Sequence, residues 1–200
     1  MPYETTTEDG WTLTLFRITG KVGQSPKPTH RPNEKPVLIQ HGMYTDSAHQ
    51  MSFSMIGKPW QLELFDSGYD VWFGNNRGTK YSRINTTTSS AVNNLLLSTQ
   101  MNPLYHSKEF WDWTSEDLAK YDLPAEIEKV LEVSAQPKLV YLGYSRGTSQ
   151  MFLALGMDED YYLSKVERVV AFSPCMYENM ELLRPGGSMD YQQVVDFYEQ

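Results

Sequence analysis

Four short apolar runs, each stopped by a polar loop, constrain this chain more than any other feature of its sequence. Val37-Leu38-Ile39 runs into Gln40-His41-Gly42, and Tyr69-Asp70-Val71-Trp72-Phe73 runs into Gly74-Asn75-Asn76-Arg77-Gly78. Lys138-Leu139-Val140-Tyr141-Leu142-Gly143 and the stretch from Val166 to Phe172 repeat the arrangement, the last ending at Ser173-Pro174. Strands that are apolar on both faces belong in a parallel sheet covered by helices. A crossover helix is expected from Asp122 as N-cap, with Pro124 in its first turn and Ile127, Val130 and Leu131 on one face. Ahead of these elements, Trp11 to Ile18 alternates apolar and polar residues after a turn signal, which predicts a half-buried antiparallel edge strand. The Pro- and Gly-rich residues 20–36 and the Thr-, Ser- and Asn-rich residues 85–103 read as surface connections. The fold class is therefore α/β, a mostly parallel sheet with crossover helices.

Charge and composition remove several function classes. Seventeen Lys and Arg against twenty-five Asp and Glu leave a net charge of −8, the wrong sign for neutralising phosphates, so nucleic acid is not an expected partner. No apolar run approaches the roughly 20 residues needed to span a bilayer. The N-terminal Met1-Pro2-Tyr3-Glu4-Thr5 has neither the basic start nor the apolar middle of a secretory signal. The single cysteine, Cys175, cannot build a cysteine-based zinc site and is expected to be a small buried hydrophobe.

Gly143-Tyr144-Ser145-Arg146-Gly147 fits G-x-S-x-G, the sharp strand-to-helix turn that presents a nucleophilic serine at the edge of a sheet. Three fixed positions match by chance about 0.07 times in a chain of this length, so context decides. Here the motif follows an apolar strand and precedes Thr148 to Leu155, which can continue as a helix. Ser145 would then sit at a helix N-terminus, where free N–H groups favour a developing negative charge. The backbone N–H of Arg146 is one expected oxyanion donor. The second belongs to a loop after an earlier strand, and Gln40-His41-Gly42-Met43 occupies that place, which assigns it to the N–H of Met43.

Beyond the motif, the chain resembles the acid lipase family of α/β-hydrolases, which includes the gastric and lysosomal acid lipases. The resemblance rests on residues 3–11, Gln40-His41-Gly42-Met43, residues 68–78, Tyr81-Ser82-Arg83, Glu109-Phe110-Trp111-Asp112-Trp113 and residues 117–125, and it spans most of residues 3–175. It implies an α/β-hydrolase fold truncated before its last strands. Residues 1–172 would be the N-terminal part of the core, and 173–200 the start of a lid or cap insertion. The implied activity is hydrolysis of carboxylic esters in neutral lipids, such as triacylglycerols or steryl esters, in lipid catabolism. It would proceed through an acyl-serine on Ser145, with the Met43 and Arg146 amides as oxyanion hole and with no metal or organic cofactor. A secreted or lysosomal location is implied by resemblance alone.

Two departures stand out. The family flanks its serine with His and Gln, where this chain has Tyr144 and Arg146. In this hydrolase order the acid and the histidine follow the serine, whereas His30, His41, His49 and His106 all precede Ser145. The triad Asp and His are thus expected outside this chain, which reads as a fragment, inactive alone, with the strand at 166–172 offering an exposed edge for association. The rival reading is a catalytically inactive lipase-like protein that binds a lipid or a partner. A weaker third is a different α/β-hydrolase activity.

Overall fold

The computed structural model describes residues 1–52, 57–85 and 108–175. Its elements are β1 (Pro2–Thr6), β2 (Trp11–Arg17), β3 (Pro36–Gln40), α1 (Ser47–Ser52), α2 (Trp60–Asp66), β4 (Asp70–Phe73) and β5 (Ile84–Asn85). After a 3-10 turn at Lys108–Trp111 come α3 (Ser115–Asp117), a π-helical turn (Leu118–Asp122), α4 (Leu123–Ser134), β6 (Leu139–Tyr144), α5 (Arg146–Met157), α6 (Glu159–Lys165) and β7 (Val166–Phe172).

All seven strands join one sheet in the order β1-β2-β4-β3-β6-β7, with β5 also paired to β2. The four apolar runs are β4, β3, β6 and β7, and they pair in parallel. Two-sided burial explains this for β3, β4 and β6, whereas β7, expected to be buried as well, encloses only Val166 and leaves Phe172 exposed because it lies at the edge of the described sheet. Leu38, Trp72 and Tyr141 face a layer made by Leu123, Ile127 and Val130 of α4 and Met151 of α5. Val37, Ile39, Val71 and Phe73 face the other way, against Phe65 of α2. Because β3 has β4 on one side and β6 on the other, the chain leaves its C-terminal end in two directions. That is the switch point at which open α/β sheets form their crevices.

Three sequence expectations are corrected. The alternating strand β2 is not an edge, since it lies between β1 and β4, antiparallel to both, and β1 takes the outer position. Asp122 does not cap a helix. The helical run opens at Thr114, whose backbone and side chain pair with Asp117 in a capping box, and Asp122 ends the π turn with its carboxylate on Arg77. Pro124 accounts for the wide turn, because its ring would clash with the carbonyl four residues back and it has no N–H to donate. Third, the 20–36 connection is not wholly superficial: Arg31 is buried and donates to Asp70 at 3.1 Å.

Asp70 also accepts two bonds from Arg17, at 2.7 and 2.8 Å, and one from Trp72 Nε1 at 2.9 Å. This cluster fastens β2 to β4 at the end of the sheet remote from the elbow. Phe110, Trp111 and Trp113 are buried. The outer edge of β7 has no strand partner among the described residues. Residues 176–200, on which most of the expected cap insertion falls, lie outside the described residues, as do residues 86–107, which include all but Asn85 of the expected 85–103 connection.

Candidate active site

Ser145 connects β6 to α5 with φ of 51° and ψ of −117°. A side chain-bearing residue adopts that backbone only where its surroundings over-determine it. Those surroundings are visible. The Ser145 N–H donates to Phe172 O at 3.0 Å, and its carbonyl accepts from Thr148 N at 2.8 Å and Thr148 Oγ1 at 2.6 Å. The flanking glycines are required by contact rather than by conformation. A Cβ on Gly143 would lie 2.7 Å from the Gly147 carbonyl carbon, and one on Gly147 would lie 2.8 Å from Gln40 O. The elbow can therefore close only with glycine on both sides of the serine.

The loop after β3 lies against this turn. A Cβ on Gly42 would come within 3.2 Å of Ser145 Cβ and 3.1 Å of the Tyr144 ring, so the segment carrying Met43 passes beside the nucleophile. Arg146 is the first residue of α5, where backbone N–H groups have no partner inside the helix. The two amides expected as oxyanion donors thus belong to segments in contact with one another.

His41 is sealed in this loop. The Asn76 N–H donates to its Nε2 at 3.1 Å, which places the ring proton on Nδ1, and Nδ1–H donates to Gly42 O at 2.7 Å. Burial first, then the Arg146 charge, lowers its pKa to about 4, although the bond to Gly42 opposes this. With both nitrogens occupied, His41 holds the loop and is unavailable to take a proton from Ser145. Asn76 in turn exchanges side-chain bonds with Gln150 of α5, at 3.2 and 3.0 Å, and Gln150 also donates to Leu118 O at 2.9 Å. Asn76 and Gln150 were not singled out from the sequence. The polar stretch Gly74 to Gly78 is their one visible trace, and it reads equally well as an ordinary strand-ending loop.

Cys175 is not the buried hydrophobe expected. It is half-buried, its N–H donates to Thr148 Oγ1 at 3.0 Å, its carbonyl accepts from Ser149 Oγ at 2.7 Å, and its Sγ lies 3.9 Å from Ser145 Oγ. Among the described residues no imidazole or carboxylate bonds Ser145 Oγ. His49 sits on Asp46 at 3.1 Å, and His30 is exposed. Asp158 caps α6 by accepting from Tyr161 N at 3.0 Å. It stands at the far end of α5, about 18 Å along the helix from the elbow. His106, Asp190 and Asp196 lie outside the described residues. No group of three or more potential metal ligands occurs among the described residues, and no described helix is long and apolar enough to cross a membrane.

Two family descriptions match the chain: the alpha/beta hydrolase fold over residues 35–195 and the partial alpha/beta-hydrolase lipase region over residues 2–52. Among curated proteins, the chain is 37% identical to Lipase lipl-1 of Caenorhabditis elegans, over 87% of this chain and 38% of that protein. It is 33% identical to human Lipase member M, over 86% of this chain and 36% of that protein. The chain therefore spans less than two fifths of the length of these relatives. Among solved structures, a carboxylesterase from Nitrososphaera gargenis aligns over 90% of this chain and 49% of its own at 13% identity, with a TM-score of 0.51. At that identity the likeness concerns the fold alone.

Proposed function

Because the chain belongs to the α/β-hydrolase fold family and is acid-lipase-like in sequence, we propose that it carries the nucleophile and oxyanion hole of a serine ester hydrolase acting on neutral lipids. The observation that carries this reading is the backbone of Ser145, with φ of 51° and ψ of −117° between a buried strand and a twelve-residue helix. A strained serine at such a junction exposes its hydroxyl at the crevice end of the sheet.

In the proposed reaction Ser145 Oγ attacks the ester carbonyl of a triacylglycerol or steryl ester. The carbonyl oxygen gains negative charge and is received by the N–H groups of Met43 and Arg146, each worth about 3–4 kcal/mol in the transition state. The alcohol leaves, an acyl-serine remains, and water releases the fatty acid. The base and acid that move the protons come from residues outside 1–200, in keeping with relatives more than twice as long. His41 holds the loop carrying Met43 and does not act as that base. A role in lipid catabolism, in a secretory or lysosomal setting, follows from the same reading.

The test is labelling of the full-length gene product with a fluorophosphonate, which modifies only an activated serine. The expected adduct maps to Ser145 and disappears in Ser145→Ala. A folded, lipid-binding protein whose Ser145 stays unlabelled would overturn catalysis and leave the inactive binding protein. The engagement of both His41 nitrogens and the approach of Cys175 Sγ to Ser145 are consistent with that alternative.

A further inference from the structure

Arg146 is 4% exposed, yet its guanidinium forms no ion pair or hydrogen bond among the described residues, and its Nε is fully enclosed without an acceptor. Its guanidinium lies over the face of Trp113, whose ring centre is 5.9 Å from the guanidinium carbon. Trp113 Nε1 is itself buried without an acceptor, and so is Ser115 Oγ two residues later, at the start of α3. α3 packs on α5, the helix that Arg146 begins. Three unsatisfied groups that can donate thus belong to two packed segments beside the elbow, together with one uncompensated positive charge. Buried charges are normally paired and buried donors normally bonded.

We infer that Arg146, Trp113 and Ser115 form a buried site for a small monovalent anion of halide size. Water would satisfy the hydrogen bonds but leave the cation uncompensated. A divalent anion would bring a second charge that the site has no cation to meet. The side chains of Gln40 and Glu126 also hold buried polar atoms without a well-formed hydrogen bond, but they differ in kind. Burial holds the Glu126 carboxyl well above the usual carboxylate range, which favours its neutral form, and its Oε2 and Gln40 Oε1 both lie beside Gly74, so these two groups need no counter-ion. In the Arg146 cluster guanidinium and indole cannot accept, the Ser115 hydroxyl that could accept is bonded to neither, and none of the three carries a negative charge. The neighbouring His41 is neutral and both its ring nitrogens are engaged, so it adds no counter-charge.

The experiment is chloride titration of the purified chain at constant ionic strength, with sulfate as the balancing salt, read by 35Cl line broadening and by melting temperature. Saturable broadening and a rise in melting temperature are expected with chloride, bromide and formate, and neither with sulfate. Both responses vanish in Arg146→Gln, while Ser115→Ala, which removes one neutral donor, weakens chloride about tenfold. Should Arg146→Gln fail to fold, Ser115→Ala and Trp113→Phe decide the matter. Absence of a chloride-specific response in the unaltered chain, or an unchanged response in the folded variants, overturns the inference.

Discussion

Arg77 and Arg146 are both almost sealed from solvent, at 2% and 4% exposure, yet they keep opposite company. Arg77 donates from its backbone and Nε to Asp122, at 2.8 and 2.7 Å, and from both terminal nitrogens to Asp9, at 2.7 and 2.9 Å. Arg146 has an aromatic face and no carboxylate among the described residues. The first ties the loop after β4 to the π turn and to the β1–β2 connection, and its charge is met by two carboxylates. The second stands one residue from the candidate nucleophile and is left open. Charge is thus closed where the fold needs fixing and unclosed where chemistry is proposed.

The largest effect that could break this contrast comes from the closed side. Asp122→Ala would strand Arg77 in the interior with only the partly exposed Asp9, and should cost about 3–5 kcal/mol of stability. A urea titration followed by tryptophan fluorescence measures it. A loss below about 1 kcal/mol would show that Arg77 is not the clamp its geometry describes.

His41 supplies the next effect, through pH. Its folded pKa of about 4 lies below the ordinary 6.5, so between these values the unfolded chain binds a proton that the folded chain refuses. The stability contributed by neutral His41 is therefore complete above pH 6.5, is lost as pH falls through the window, and levels off below about 4. The total is about 3 kcal/mol. Unfolding free energies measured at steps between pH 7 and 4 should show this slope, and His41→Gln should flatten it. An unchanged slope would mean that the imidazole is reachable by solvent protons in the native state.

A somewhat smaller change is expected at the elbow. Gly147→Ala places a methyl 2.8 Å from Gln40 O and 3.1 Å from His41 O, both backbone atoms that cannot swing away. The cost should be about 1–3 kcal/mol, and the end of β3 with the loop carrying His41 would be displaced from Ser145. Loss of fluorophosphonate labelling out of proportion to the loss of stability is the expected signature, read by comparing labelling rate with the urea midpoint.

Much of this framework is legible in the sequence, for a physical reason. Strands such as Val37-Leu38-Ile39 are apolar on both faces, and that pattern admits few architectures. G-x-S-x-G encodes a turn whose glycines are demanded by local contacts at Gly143 and Gly147. The pairings of Arg17 with Asp70, Arg77 with Asp122 and Asn76 with Gln150 could not be read, because each joins residues 45 to 74 positions apart. Nothing local distinguishes such residues from a solvated surface. Asp122 is instructive: an Asp two residues before Pro124 reads as a helix cap, but the buried charge of Arg77 claims its carboxylate and the helix starts earlier. Cys175 misled in the other direction, since burial statistics for cysteine say nothing of a chain that returns from β7 across the elbow.

The smallest expected effect is also the sharpest test of the comparison. Arg146→Met keeps the length and apolar contact of the side chain against Trp113 while removing a charge that no described carboxylate balances. Replacing a buried charge with an apolar side chain of similar volume is commonly neutral or stabilising. In buffer containing only sulfate or phosphate, the urea midpoint of Arg146→Met should therefore equal or exceed that of the unaltered chain, within about 1 kcal/mol. The backbone N–H at position 146 is retained, so the proposed oxyanion hole keeps both donors and fluorophosphonate labelling of Ser145 in the full-length product should persist. A loss as large as that of Asp122→Ala would mean that Arg146 is paired as firmly as Arg77, and the distinction between a closed and an open arginine would fail.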